Sequence, residues 1–234
     1  MKPVLMELVV CRRLRGNPVQ QQMADLSSGR VTPDKPPFSY VGVDCFGLFV
    51  VKRGQSQVKR YGCVFTCFTM RAIHIEKLDS LEADSYINAF MRFCARRSVS
   101  EKVRSDNGTN SVARERELRE AMRSWKDEGK VKVHLLQKEI KLEFNPPSAS
   151  HIGGIWERQI RTVRRVLNVI LMEQTLDHER LSTLFCEVDS IINGRPLTVL
   201  SDDPNDESPL TLNHLLLLRG GPELPPGRFD QSVI

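Results

Sequence analysis

Three acidic side chains lie at positions where a carboxylate can do chemistry. Asp44 interrupts the apolar run 40–51, YVGVDCFGLFVV, and has no lysine or arginine adjacent to it. Asp106 follows the short segment 102–105, and Glu157 lies in the first turn of a helical pattern. A carboxylate in a buried strand costs several kcal/mol unless it is paired or bound to a metal. Because Mg²⁺ and Mn²⁺ prefer oxygen ligands, the three residues together predict a site for hard divalent cations.

Each of the three acidic residues also has a structural explanation. Asp44 can be a hydrogen-bonded aspartate or lie on an exposed edge strand, and Asp106 begins Asp-Asn-Gly, a favourable turn sequence. Glu157 can pair with Arg161 at i,i+4, a contact worth about 0.3–0.5 kcal/mol on a solvated helix. Considered together, the three carboxylates favour a catalytic metal site over these structural explanations. Two cations about 3.5–4 Å apart can activate a nucleophile and stabilise the leaving oxygen in phosphodiester displacement.

The pattern of apolar residues predicts the elements that would position these carboxylates. Continuous runs rich in β-branched and aromatic residues indicate strands, and apolar residues three and four positions apart indicate helices. Strands are predicted at 40–51, 61–70, 72–78 and 102–105, with further candidates at 131–136 and 140–144, and a hairpin loop at 52–60. Helices are predicted at about 80–98, 111–126, 178–193 and from 155 onward. This order predicts an α/β fold in which helices flank a mixed sheet.

The helix that begins near Ile155 has two distinct stripes. One is apolar and contains Trp156, Ile160, Val163, Leu167 and Ile170. The neighbouring stripe contains Glu157 followed by Arg161, Arg164 and Asn168. This second stripe is either an ordinary solvated surface or a basic track that leads from a metal ligand along a nucleic-acid backbone.

Composition limits the classes of function. The chain has 234 residues, a net charge of +5 and 40% hydrophobic residues, an ordinary globular composition. Residues 201–234 contain two basic and six acidic side chains, so residues 1–200 carry a net charge of +9, which favours a polyanionic partner. No apolar run approaches the roughly 20 residues that cross a bilayer, so no membrane partner is expected. The six cysteines show no CxxC spacing, which predicts free thiols rather than disulfides.

Several segments resemble motifs of retroviral and retrotransposon integrases. Segment 105–110, SDNGTN, resembles the motif of the second catalytic aspartate, and 42–47, GVDCFG, resembles that of the first. Segments 144–147 (FNPP) and 151–158 (HIGGIWER) are similar to the third motif of the BEL/Pao group of long-terminal-repeat retrotransposons. The similarity continues through INGRPLT at 192–198 and PLTLNH at 209–214, so that it covers about residues 18–219.

The resemblance implies an RNase H-like fold, with a mixed five-stranded sheet flanked by helices. It also implies that Asp44, Asp106 and Glu157 are a catalytic triad that binds two Mg²⁺ or Mn²⁺ ions. In the family's reaction, water trims the 3′ ends of the element's DNA copy, and the freed 3′ hydroxyls then attack target DNA. The expected partners are therefore element ends, target DNA and further copies of the chain. The expected location is the nucleus, with a possible cytoplasmic particle stage.

The residues expected to contact DNA flank the predicted catalytic positions. They are Asn107, His151, Arg158, Arg161, Arg164 and Arg165. For the arginines, a plain soluble helix surface is the alternative. For His151 the alternatives are that it steadies the catalytic loop or that it has no assigned role.

The resemblance divides the chain into three parts. Residues 1–35 are expected to be a remnant of an N-terminal zinc-binding region and linker, 36–200 the catalytic core, and 201–234 an acidic, proline-bearing tail. Cys11 is present, but Leu8 stands where its partner cysteine is expected, so no zinc site is predicted.

Two other functions remain open from the sequence. One is a catalytically inactive or host-adopted module, derived from an integrase, that binds DNA or assembles. The other is a nuclease that hydrolyses DNA without joining it. The sequence favours the Mg²⁺-dependent transferase because the acidic residues and their flanking motifs occur together and in order.

Overall fold

The architecture comes from a computed structural model of the chain. It describes residues 26, 28–32, 34–105, 120–125, 129, 131, 133, 135, 139–144, 150–171, 176–199 and 208–217. The strands are β1 (Tyr40–Arg53), β2 (Ser56–Cys67), β3 (Ile73–Leu78), β4 (Lys102–Ser105) and β5 (Lys141–Phe144). The bounded helices are α1 (Ala83–Arg97), α2 (Ser150–Leu171), α3 (His178–Asn193) and α4 (Leu212–Leu217), preceded by a 3₁₀ turn at Ser28–Arg30.

The strands form one mixed sheet in the order β3-β2-β1-β4-β5. β1 is central, antiparallel to β2 and parallel to β4. β3 pairs antiparallel with β2, and β5 pairs parallel with β4. The parallel register sets Val43 opposite Ser105, so β4 ends beside the middle of β1. The mixed sheet with flanking helices that the sequence predicts is therefore present.

The hairpin between β1 and β2 is tighter than the sequence analysis predicts. Residues 52–60 were expected to form a loop, but Lys52 and Arg53 pair with Gln57 and Ser56, leaving a two-residue turn. Gly54 adopts a φ of 62°, a conformation that glycine tolerates and that two-residue hairpins favour. The ends of the two strands were not recognised in the sequence because both faces of this part of the hairpin reach solvent and carry polar side chains.

The sheet separates two apolar layers, and β1 contributes to both. Val41, Val43 and Cys45 face a layer that includes α1. Phe46 faces the opposite layer, which contains the inward residues of α2 and α3. This alternation is the two-residue period of a strand. An extra residue in β1 between Phe46 and Phe49 forms a bulge, which lets Val51 return to the α2–α3 side.

Two predicted helix starts and one candidate strand are wrong. Helix α1 begins at Ala83 after Glu82, rather than directly after Asp79 or Ser80. The described residues of the candidate strand 131–136, at 131, 133 and 135, are helical, and Val131 and Leu135 are buried four residues apart on one side. Helix α2 begins at Ser150 and not at Ile155, so two glycines lie inside its first turns. For 131–136, the burial of Val131 and Leu135 shows that tertiary packing overrides a weak local preference.

Candidate active site

Strand β1 places Asp44 on the face of the sheet that α2 covers. A Cβ added to Gly42 would lie 2.4 Å from Cε3 of Trp156, so α2 rests directly on the backbone of β1 there. Phe46 joins the same layer as Ile160 of α2. Because alternate residues of a strand share a face, Asp44 lies between these two contacts on the α2 side. It is half-buried, and its Oδ1 accepts a hydrogen bond of 2.8 Å from the Cys45 amide.

Trp156 anchors the start of α2 to the sheet. Its side chain is fully buried and stacks on Phe68, with ring centroids 5.9 Å apart and planes 15° from parallel. The Arg104 guanidinium lies 5.8 Å from the centroid of the Phe68 ring, and its Nη2 donates to Glu143 at 2.6 Å. This layer joins β4, the end of β2 and α2. Among the described residues the Trp156 indole N–H has no hydrogen-bond partner, so stacking and shape hold the ring.

Glu157 projects from the flank of α2 that faces away from the β2–β3 turn. On the other flank, Gln159 Nε2 donates to the carbonyl of Arg71, which lies in that turn, at 3.3 Å. Residues two apart on an α-helix lie about 160° apart around the axis. Glu157 is therefore on the side towards β4, and it is exposed.

One contact thus relates two of the three predicted catalytic carboxylates. Asp44 is two residues from Gly42, and Glu157 is the neighbour of Trp156. Their oxygen atoms suit Mg²⁺ or Mn²⁺ rather than zinc. Asp106 lies outside the described residues; the last described residue before it, Ser105, pairs with Val43, next to Asp44. Within the described part of the chain, no cluster of three histidine, cysteine or acidic residues is arranged for a metal.

The predicted DNA-contacting residues are described in part. Arg158, Arg161, Arg164 and Arg165 are all exposed along α2. Arg161 and Arg164 lie on the Glu157 flank, within about 40° of it, whereas Arg158 and Arg165 point outward. The backbone of His151 belongs to the first turn of α2. The side chain of His151 and the whole of Asn107 lie outside the part of the chain that the structure describes. The basic stripe predicted beside Glu157 is therefore present on the helix surface.

A buried network of charged side chains, which the sequence did not reveal, joins the edge strand β3 to α1 and α3. His74 contacts Glu76 at 2.9 Å through Nε2 and Asp189 at 3.2 Å through Nδ1. Arg92 and Arg97 add ion pairs to Glu76 and Asp189 respectively. Burial would raise the pKa of Glu76, but hydrogen bonds from His74 and Arg92 outweigh it and lower that pKa. The network ties α1 and α3 to β3, and its members are too distant in sequence to be recognised together.

Two cavities among the described residues lie away from Asp44 and Glu157. One is between the end of α2 and the first half of α3, and the other lies between β3, α1 and α3. The described helices include none long and apolar enough to cross a membrane. Neither cavity is lined by Asp44 or Glu157.

Comparison with known proteins supports an integrase-like fold. No family model matches the chain, and no curated protein matches its sequence. Among solved structures it is similar to a chain of the simian T-cell lymphotropic virus intasome, determined in complex with PP2A regulatory subunit B56 gamma. The TM-score is 0.56 at 16% identity, covering 94% of this chain and 69% of that chain. At this identity the likeness shows the fold alone.

Proposed function

We propose that this chain is the catalytic core of a retrotransposon integrase of the BEL/Pao type. In this proposal the core is RNase H-like and performs 3′-end processing and strand transfer of element DNA. The observation that carries the proposal is the Gly42–Trp156 contact, because it joins the two elements that hold Asp44 and Glu157. The integrase-like fold and the ordered sequence motifs support it.

The proposed roles rest on the sequence motifs and, for Asp44 and Glu157, also on the positions of their side chains. Asp44, Asp106 and Glu157 would hold two Mg²⁺ or Mn²⁺ ions, which supply activation of the nucleophile and stabilisation of the leaving oxygen. Half-burial of Asp44 beneath α2 restricts its motion, while the exposed Glu157 remains accessible from solvent. The arginines of α2 would hold DNA phosphates by charge-assisted hydrogen bonds. By proposal, the partners are element ends, target DNA and further copies of the chain, acting in the nucleus.

A strand-transfer assay with a pre-processed DNA end tests the proposal. Asp44→Asn, Asp106→Asn and Glu157→Gln should each reduce Mg²⁺-dependent product by more than about 100-fold, because changes merely adjacent to metal ligands already cause 10–100-fold losses. Asp34→Asn is the matched control. Asp34 is exposed with a φ of 62°, which asparagine tolerates, so full activity should remain.

The same assay separates the competing functions. Equal product from wild type and Asp44→Asn would refute the role of Asp44. A wild-type chain that binds DNA in chelator and yields no product would instead be a DNA-binding or assembly module. Cleaved ends without joined products would indicate a nuclease.

A further inference from the structure

Two arginines meet at the β2–β3 turn, on the flank of α2 opposite Glu157. Arg71 lies within the turn, and Arg195 follows α3 after Gly194. Nη2 of Arg195 donates to the carbonyls of Met70 and Arg71, at 3.4 and 3.2 Å. The arginine after α3 is thereby fixed against the turn that carries the second arginine.

The backbone of Arg71 is held in place from several directions. Its amide donates to the Cys67 carbonyl at 3.0 Å, and its own carbonyl accepts from both Gln159 and Arg195. It adopts a φ of 59°, in the left-handed region that favours glycine. A β2–β3 turn held this firmly fixes the point on the surface from which the exposed Arg71 side chain extends.

The charge of this pair is not balanced within the described part of the chain. No described carboxylate forms an ion pair with Arg71 or Arg195. Arg60, Arg97 and Arg104, by contrast, pair with Asp79, Asp189 and Glu143. Burial, and then the nearby charge of Arg71, lower the pKa of Arg195, yet a guanidinium stays protonated. Among the described residues, these two neighbouring cations therefore have no anionic partner.

We propose that Arg71 and Arg195 bind backbone phosphates of nucleic acid, an inference that rests on the proposed DNA-binding function. A guanidinium offers five N–H donors, and the contacts to Met70 and Arg71 occupy only Nη2, so donors remain for phosphate oxygens. An α-helix with its side chains is about 10–12 Å wide, which places the pair about one helix width from Glu157. That separation corresponds to a few nucleotide steps along one strand.

The salt dependence of DNA affinity tests this site directly. With a labelled duplex of arbitrary sequence titrated between about 50 and 200 mM salt, each lost phosphate contact should reduce the slope of log affinity against log salt by about 0.9. Arg71→Asn removes the charge with a residue that tolerates the local φ, and it should show this reduction. Arg71→Lys keeps the charge and should retain most of the wild-type slope.

Controls separate a phosphate site from a structural contact. Arg53→Asn removes an exposed arginine at the end of β1, opposite the start of β2 and far along β2 from the β2–β3 turn, and should leave the slope unchanged. For Arg195, Arg195→Gln should lower the slope, whereas Arg195→Lys should retain it even if the melting temperature falls. If wild type binds with a steep slope and Arg71→Asn and Arg195→Gln both match it, the phosphate site is refuted while DNA binding stands. A wild type without salt-dependent binding would refute the proposed function itself.

Discussion

At the scale of single residues, Gly42 decides how closely α2 can approach β1. A Cβ there would meet Trp156 at 2.4 Å and Phe68 at 2.9 Å, and both rings are buried and stacked on each other. Neither ring can move far without disturbing its neighbours in a close-packed interior. The separation of Asp44 and Glu157 therefore depends on the absence of a side chain at Gly42.

Gly42→Ala should destabilise the protein by about 1–3 kcal/mol because it overpacks this contact. It should also reduce strand transfer, since the start of α2 must shift. Urea unfolding and the transfer assay measure the two effects. Gly154→Ala is the matched control: no atom of the described residues lies within 4 Å of its added Cβ, and alanine in a helix should stabilise by about 0.5–1 kcal/mol. Wild-type stability and activity in Gly42→Ala would contradict this account.

At the scale of elements, α3 is fixed to the edge strand β3 by polar contacts as well as apolar ones. Asn193 accepts from the Ile73 amide at 3.0 Å and donates to the Ile73 carbonyl at 2.8 Å. Beside it, Asp189 reaches His74 and Arg97. These bonds satisfy backbone groups of β3 that an edge strand would otherwise leave unpaired. The position of Arg195 follows from this attachment because it lies directly after α3.

The stability of this attachment should depend on pH. Burial alone would lower the pKa of His74, but hydrogen bonds with Asp189 and Glu76 outweigh it and raise that pKa above 6.5. Protonated His74 thus stabilises the fold fully below 6.5, and this contribution is lost as pH rises through the raised folded-state value. The unfolding free energy of wild type should therefore decline over that window, and His74→Gln should flatten the decline.

His178→Gln serves as the control for this pH effect. Burial and the nearby Lys77 lower the pKa of His178, so that its contribution to stability has the opposite sign. The decline with rising pH should persist in this variant. Denaturant titrations at several pH values measure both variants, and a decline that survives His74→Gln would exclude His74 as its source.

At the scale of the whole molecule, the segment after residue 200 contributes to the core. Pro196 bridges to Thr211, and Asn213 Nδ2 donates to the Ser190 carbonyl at 3.2 Å. Leu212 is 1% exposed and belongs to the apolar layer on the α1 side. The described part of the acidic tail is therefore packed on the core that carries the candidate site.

Leu212→Ala should destabilise the protein by about 2–5 kcal/mol, the usual loss for a buried leucine. Leu215, in the same short helix, is 42% exposed, and Leu215→Ala should change stability by less than about 0.5 kcal/mol. Thermal and urea unfolding measure both variants. If Leu212→Ala is as stable as wild type and Leu215→Ala, Leu212 does not contribute to the core.

The sequence predicted those parts of the fold whose local pattern agrees with their environment. β4 at 102–105 and α3 at 178–193 occur as predicted. Apolar residues at helical spacing mark α3, and the turn sequence Asp-Asn-Gly follows the segment that forms β4. The apolar stripe of α2 was also identified correctly, and Trp156, Ile160, Val163 and Leu167 are buried. The hairpin ends and the helical residues near 131 were missed because exposed strands and short helices carry weak periodic signals.

By itself, the sequence determined the candidate chemistry, because carboxylates, arginines and the motifs around them can be identified without coordinates. Only the tertiary structure decided which of those groups share a surface. It set Glu157 on the β4 flank of α2 and Asp44 beneath that helix, and it brought Arg71 beside Arg195 across 124 positions of chain. Such proximity arises from strand register, helix rotation and close packing, which depend on contacts between distant residues and leave no local pattern in the chain.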